Sequence, residues 1–277
     1  MIEAPEALVL ARQMNKVLMG KKITDVIGGN SPHKFAWYNG RPEDYVGRLL
    51  GKTVDRVCAK GGMVEISVAD AILLFTDGVN FRYLLPGEKL PEKYQLLIGF
   101  DDFSCLTASV RMYGGLICFI KGEKDIPFAE YYRCASEKPQ VLSDNFDENY
   151  FRRLITDENV QDKSVKAFLA TNQTIPGLGN GVLQDILYNA GIHPKSKLRD
   201  ISEPRRDLLY KSVKTTLTEM FLSGGRNTET DILGKRGKYI SYLSKDTVGK
   251  ECPRCGEIIR KESYMGGSIY YCSGCQQ

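Results

Sequence analysis

The chain has no apolar run near the roughly 18 residues that a membrane-crossing helix needs, so a helical membrane protein is not expected. Its opening, Met1-Ile2-Glu3-Ala4-Pro5-Glu6, lacks the basic segment and the apolar stretch of a secretory signal, and a soluble, cytoplasmic protein is the expectation. Internal repeats and low-complexity tracts are missing as well. With 42% hydrophobic and 26% charged residues, a disordered, collagen-like or coiled-coil chain is excluded. What remains is a globular protein of one large or two ordinary domains.

Charge of one sign is also in short supply, the formal net charge being only +4. It is unevenly spread: residues 1–150 are slightly acidic and residues 151–277 carry the basic excess. A basic C-terminal half suits contact with a polyanion, and equally suits an ordinary solvated surface.

Cysteine is the residue type whose placement says most. Of eight cysteines, four crowd into the last 26 residues as Cys252-x2-Cys255 and Cys272-x2-Cys275, sixteen residues apart. Each Cys-x2-Cys turn puts two thiolates on one side of a tetrahedral ion, and a hairpin between them brings the pairs together, so one structural zinc is expected. Two disulfides would need an oxidising compartment and hence an export signal. Cys58, Cys105, Cys118 and Cys134 have no such spacing and read as structural thiols. With four cysteines completing the set, His33 and His193 are not expected to be ligands.

Along the chain, Pro5 suits a first helical turn, and Leu8, Val9, Ala11, Met14, Val17 and Leu18 form an apolar stripe ending near Gly20. Short β-prone runs follow: Thr24–Ile27, Thr53–Val57, Met63–Val68, Ile72–Phe75, Phe81–Leu85, Leu106–Met112 and Leu116–Ile120, separated by turn residues, as in a sandwich or barrel. The apolar period fades over Pro127–Asp147, which reads as a connection to a helical domain. There, a face of Val165, Phe168 and Leu169 is interrupted by Thr174-Ile175-Pro176-Gly177-Leu178-Gly179-Asn180 and resumes at Val182, Leu183, Ile186 and Leu187. A further helix is expected from about Glu203 to Phe221. The glycine turn before the second helix offers free N–H groups and the positive end of a helix dipole, a ready phosphate site, although such turns are also simple connectors.

These features together resemble the bacterial formamidopyrimidine-DNA glycosylase and endonuclease VIII family. The resemblance rests on Lys166-Ala167-Phe168-Leu169 through Gly177-Leu178-Gly179-Asn180 to Ala190-Gly191-Ile192-His193-Pro194, similar to the family's helix-two-turn-helix, and on the terminal four-cysteine hairpin. It implies an α+β fold: an N-terminal β-sandwich flanked by helices (1–135), a helical helix-two-turn-helix domain (136–247) and a zinc finger (248–277). It also implies a nucleoid-associated monomer that binds double-stranded, damaged or abasic DNA, removes oxidised bases, and cuts the abasic strand through a Schiff base on an N-terminal amine.

Residue by residue, the resemblance places Ile2 where the family has its nucleophilic proline, Glu3 at the acid/base carboxylate and Lys60 at the assisting lysine. Asn180 matches a phosphate-binding asparagine, Arg111 the arginine facing the orphaned base, Met112 and Val79 the residues that fill the void of a flipped nucleotide, and Tyr94 a DNA-contacting histidine. Their alternatives are plain: core packing for Val79 and Met112, a helix cap for Asn180, a solvated lysine for Lys60. Two departures stand out, Ile2 for the proline and Gly267 for an arginine five residues before the third cysteine. The alternative function is therefore a non-catalytic binder of damaged or abasic DNA that has lost the nucleophile; an RNA-binding zinc protein is a third reading.

Overall fold

A computed structural model describes residues 1–277. Helix α1 (Ala4–Leu18) opens the chain, with Pro5 in its first turn and Ala7, Leu10, Ala11, Met14 and Leu18 buried on one face. It packs on β3 (Val54–Lys60) and β4 (Met63–Val68). Two sheets make a sandwich. One has the order β1 (Ile23–Gly28), β7 (Leu96–Phe100), β8 (Cys105–Val110), β6 (Val79–Leu84); the other runs β2 (Ala36–Trp37), β9 (Gly114–Ile120), β5 (Ala71–Phe75), β4, β3. Between them lies a core built from both sheets and α1, including Phe75, Phe81, Leu96, Phe100 and Leu116.

The short helix α2 (Tyr45–Leu49) covers one edge, and α3 (Ala129–Glu137) crosses the segment that the sequence suggested was only a connection. That segment lacks a strong apolar stripe because α3 buries a single alanine, Ala135. Two strands escape the pattern for opposite reasons. β7 is a continuous run, Leu-Leu-Ile-Gly-Phe, buried on both faces and so without alternation, whereas β2 is two residues long.

The C-terminal half is helical. Helices α4 (Glu148–Thr156), α5 (Asn180–Ala190) and α6 (Glu203–Leu222) enclose a second core of Phe151, Phe168, Leu183, Leu187, Val213 and Leu217. Ahead of α5, Ala167–Thr171 winds as a π-helical turn. The hairpin β10 (Arg260–Tyr264) and β11 (Gly267–Tyr271) packs against α5 and closes the chain. The protein is thus α+β, with a β-sandwich followed by a helical unit and a cysteine-bearing hairpin. No helix is long and apolar enough to cross a membrane.

Candidate active site

The start of α1 is tied down where the two halves meet. The Ile2 N–H donates to the Asp77 carbonyl at 2.7 Å, and the Ala4 N–H donates to the Gly177 carbonyl at 2.8 Å. Between them, the Glu3 carboxylate turns into the N-terminus of α5 and accepts from the N–H groups of Gly179 (3.2 Å), Gly181 (2.9 Å) and Val182 (2.9 Å). The sequence suggested that these groups are free for a phosphate. They are instead occupied by Glu3, because a carboxylate at a helix N-terminus satisfies orphan donors and the dipole together.

Glu3 and Glu6 share one buried partner, Arg226, which follows α6. Its Nε and its own N–H donate to Glu6 Oε1 at 2.9 and 3.0 Å, and Nη2 donates to Glu6 Oε2 at 2.8 Å and to the Met1 carbonyl at 3.0 Å. Nη1 lies 3.5 Å from Glu3 Oε1. Burial alone would raise the Glu6 pKa, but the Arg226 charge and its hydrogen bonds outweigh it and hold the carboxyl below its ordinary range. The crowding explains Gly181: a Cβ there would stand 1.5 Å from Arg226 Nη1.

Ile2 and Glu3 line an open cleft of about 280 Å³ together with Asp77, Tyr131, Gln173 and Gly177. Burial pushes the Asp77 carboxyl above the usual range, Glu3 adds to this, and the positive N-terminus opposes it. The Met1 amine itself turns away, pairing with Glu229 at 2.8 Å in a neighbouring cavity lined by Val79, Arg111 and Met112. Lys60 is not in the cleft. It ends β3 on the same face as Cys58, opposite Val57 and Ala59, which are in the core, and it lines a separate cavity with Glu65, Glu130 and Tyr132. The cleft wall beyond it is supplied by Gly62.

The loop between β8 and β9 presents Arg111 and Met112 to solvent, Met112 being 66% exposed. Val79 is 1% exposed and packs in the sandwich core, so in this structure it is placed as a core residue rather than as a free wedge. Tyr94 is 7% exposed overall and its backbone is paired with Ser31. Asn180, the exposed first residue of α5, meets the tip of the terminal hairpin. A Cβ on Gly267 would lie 2.8 Å from Asn180 Nδ2 and 3.3 Å from Lys166 Nζ. Larger side chains at position 267 would have to displace both. Lys166 is buried, donates to the Tyr264 carbonyl, and has its pKa lowered by burial.

At the hairpin base, the sulfurs of Cys252, Cys255, Cys272 and Cys275 all lie within 4.8 Å of one another. Cys252 and Cys275 Sγ are 3.7 Å apart, and Cys255 and Cys272 Sγ 3.3 Å. These separations are too long for disulfides and match four thiolates around one tetrahedral ion.

Residues 138–231 match the model of the formamidopyrimidine-DNA glycosylase H2TH domain, the helix-two-turn-helix. Over 282 residues, and over the full length of both chains, the protein is 27% identical to the formamidopyrimidine-DNA glycosylase of Lactococcus lactis subsp. lactis. Residues 138–231 thus carry an H2TH domain, and the whole chain is similar to formamidopyrimidine-DNA glycosylases. The Bacillus subtilis glycosylase is 24% identical over 289 residues, covering 100% of this chain and 99% of the relative. In fold, it matches the crystal structure of Lactococcus lactis Fpg in complex with DNA containing an abasic site, with a TM-score of 0.82, 24% identity and 99% of each chain covered. The same TM-score and identity hold for that protein in complex with DNA containing FAPY-dG, covering 99% of this chain and 100% of the other.

Sequence reasoning passed over Asp77, Tyr131, Gln173 and Arg226. Arg226 carried a usable signal, since it directly follows Gly224-Gly225 after a long helix. Tyr131 and Gln173 carried none, because what distinguishes them is which cavity they line.

Proposed function

We propose that this chain is a DNA-repair glycosylase that removes oxidised bases, and that an N-terminal amine gives it abasic-site lyase activity. The observation that carries the reading is the meeting of Ile2 and Glu3 in the lining of one cleft between the two halves. The similar glycosylases support the activity, and the matched complexes support damaged and abasic DNA as the partner. The acting amine is that of Ile2 once Met1 is removed, since the Met1 amine itself faces Glu229. A primary α-amine has a pKa near 8, so a useful fraction is neutral at physiological pH. On an abasic site its lone pair adds to the sugar C1′ aldehyde and water leaves, giving an imine. A proton then leaves C2′ and its electron pair expels the 3′ phosphate. Of the two carboxylates lining the cleft, Glu3 and Asp77, Glu3 is the one fixed by three N–H groups and is proposed to take and return protons.

Borohydride reduction in the presence of abasic DNA tests this directly. The expected result is a covalent adduct mapping to residue 2, carried by the fraction of the protein whose intact mass lacks methionine. A protein that binds abasic DNA but traps nothing is the binder of the alternative reading. In the proposed division of labour, residues 1–135 carry the amine side, 136–247 grip the backbone, and 248–277 form the finger. Lys60, outside the cleft, would act only after a rearrangement of the turn that follows β3. Arg111 and Met112, exposed on the loop between β8 and β9, are proposed to fill the gap of a flipped base.

Asn180 is proposed as a backbone contact. Asn180→Ala should weaken intact and abasic duplex alike, by about ten-fold, because a phosphate contact carries no base information. A loss confined to abasic DNA, measured by titration at fixed salt, would count against that role. The four cysteines would hold one zinc, which would fix the hairpin against α5. Elemental analysis should return one zinc per chain, and Cys255→Ser with Cys272→Ser should abolish it and lower DNA affinity; full retention in the double variant would exclude the site.

A further inference from the structure

One buried side-chain polar atom in the whole structure has no hydrogen-bond partner: Oε1 of Gln173, a residue that lines the cleft of Ile2 and Glu3. Its amide is oriented by the Nε2 group, which donates to the Ala170 carbonyl at 3.3 Å. A carbonyl can only accept, so the NH₂ must face it and the oxygen is left over. The backbone at Gln173 has φ +51, in the left-handed region that glycine prefers. The loop is held in that conformation by Lys138, whose Nζ donates to the carbonyls of Gln173 at 3.4 Å and Thr174 at 3.1 Å. Strain and an unpaired buried acceptor both oppose folding, and their coincidence in a cleft points to a ligand.

A second group complements it. The hydroxyl oxygen of Tyr131 accepts from the backbone N–H groups of Gly62, at 3.1 Å, and of Gly177, and no protein group accepts its proton. Gln173 and Tyr131 thus bring one unpartnered acceptor and one unclaimed donor to the residues that line the cleft, beside apolar surface from Met63, Phe128 and Leu178. A planar ring with a carbonyl next to an N–H satisfies both, its oxygen taking the Tyr131 proton and its N–H donating to Gln173.

Resting on the glycosylase reading above, we propose that Gln173 and Tyr131 are specificity-determining residues that read the lactam edge of an extruded base. The substrate class is then saturated or oxidised bases whose accessible edge carries N–H beside C=O. A base alkylated at that nitrogen is rejected, because Gln173 Oε1 stays unpaired and the alkyl group is driven against it.

The test compares excision of 5,6-dihydrouracil and of its N3-methyl counterpart from otherwise identical duplexes. Wild-type kcat/KM should favour the unmethylated base by at least about ten-fold. Gln173→Gly, which suits φ +51 and removes the acceptor, should erase the preference while thermal stability and abasic-duplex affinity are kept or improved. Tyr131→Phe should lower dihydrouracil excision by a similar factor and leave abasic affinity unchanged, and Gln173→Leu repeats the acceptor test in a side chain of similar size. An undiminished preference in Gln173→Gly overturns the proposal and leaves the glycosylase reading standing. Binding of abasic duplex with excision of neither base, nor of any oxidised base, by the wild-type protein overturns both.

Discussion

Replacing Arg226 with methionine should destabilise the protein by about 3–5 kcal/mol, the usual cost of removing one partner from a buried charge cluster. Glu3 and Glu6 are both buried, and Arg226 makes four hydrogen bonds that tie Glu6 and the Met1 carbonyl to the end of α6. Methionine keeps much of the apolar stem and none of the charge. The effect should depend on pH in a defined direction. In the wild-type protein the Glu6 carboxyl lies below its ordinary 4.5, so its contribution is present above that value and lost as pH falls through the lower folded value. In the variant, unpaired buried carboxyls favour the neutral form, so acid relieves part of the damage. The stability gap should therefore narrow between about pH 7 and about pH 4.5, as urea titrations at the two values would register. A loss under about 1 kcal/mol, or a gap that does not move with pH, would mean that the cluster contributes little.

Ile2→Pro should raise borohydride trapping on abasic DNA by about 100-fold, the scale on which a misplaced reacting group is felt. Removal of the initiator methionine generally requires a small second residue, which isoleucine is not and proline is. The variant places a secondary amine at the position from which Ile2 now donates to the Asp77 carbonyl, beside Glu3 in the same cleft. Intact mass separates the two steps: loss of methionine without a gain in trapping would locate the defect elsewhere in the site. Trapping that is equally efficient in both proteins would show that isoleucine already presents its amine.

Much of the architecture can be read from local patterns. The stripe of α1 and the β4 run Met63–Val68 follow the periodicity of their apolar residues, because each buries one face or one strand against a partner. β7 does not, since both its faces are covered, and α3 does not, since it buries only Ala135. The site divides in the same way. The cysteine spacing announces a cluster that the fold assembles within 4.8 Å, because the two pairs flank one hairpin. Glu3 capping α5 across 178 residues, and the separation of Lys60 from the cleft, depend on which face of a strand or helix meets which. A linear pattern records the face but not the partner.

The separation between Glu6 and Arg226 is 220 residues, so the first helix of the chain acquires its counter-charge only when four-fifths of the protein has been made. A ribosome-bound fragment ending before α6 is complete would hold a β-sandwich whose opening carboxylates lack their arginine, although every residue lining the cleft has already been made. Such a fragment would stay open to proteases and chaperones at its N-terminal end, where synthesis began. Commitment of the amine-bearing terminus to its final position would come among the last events of folding.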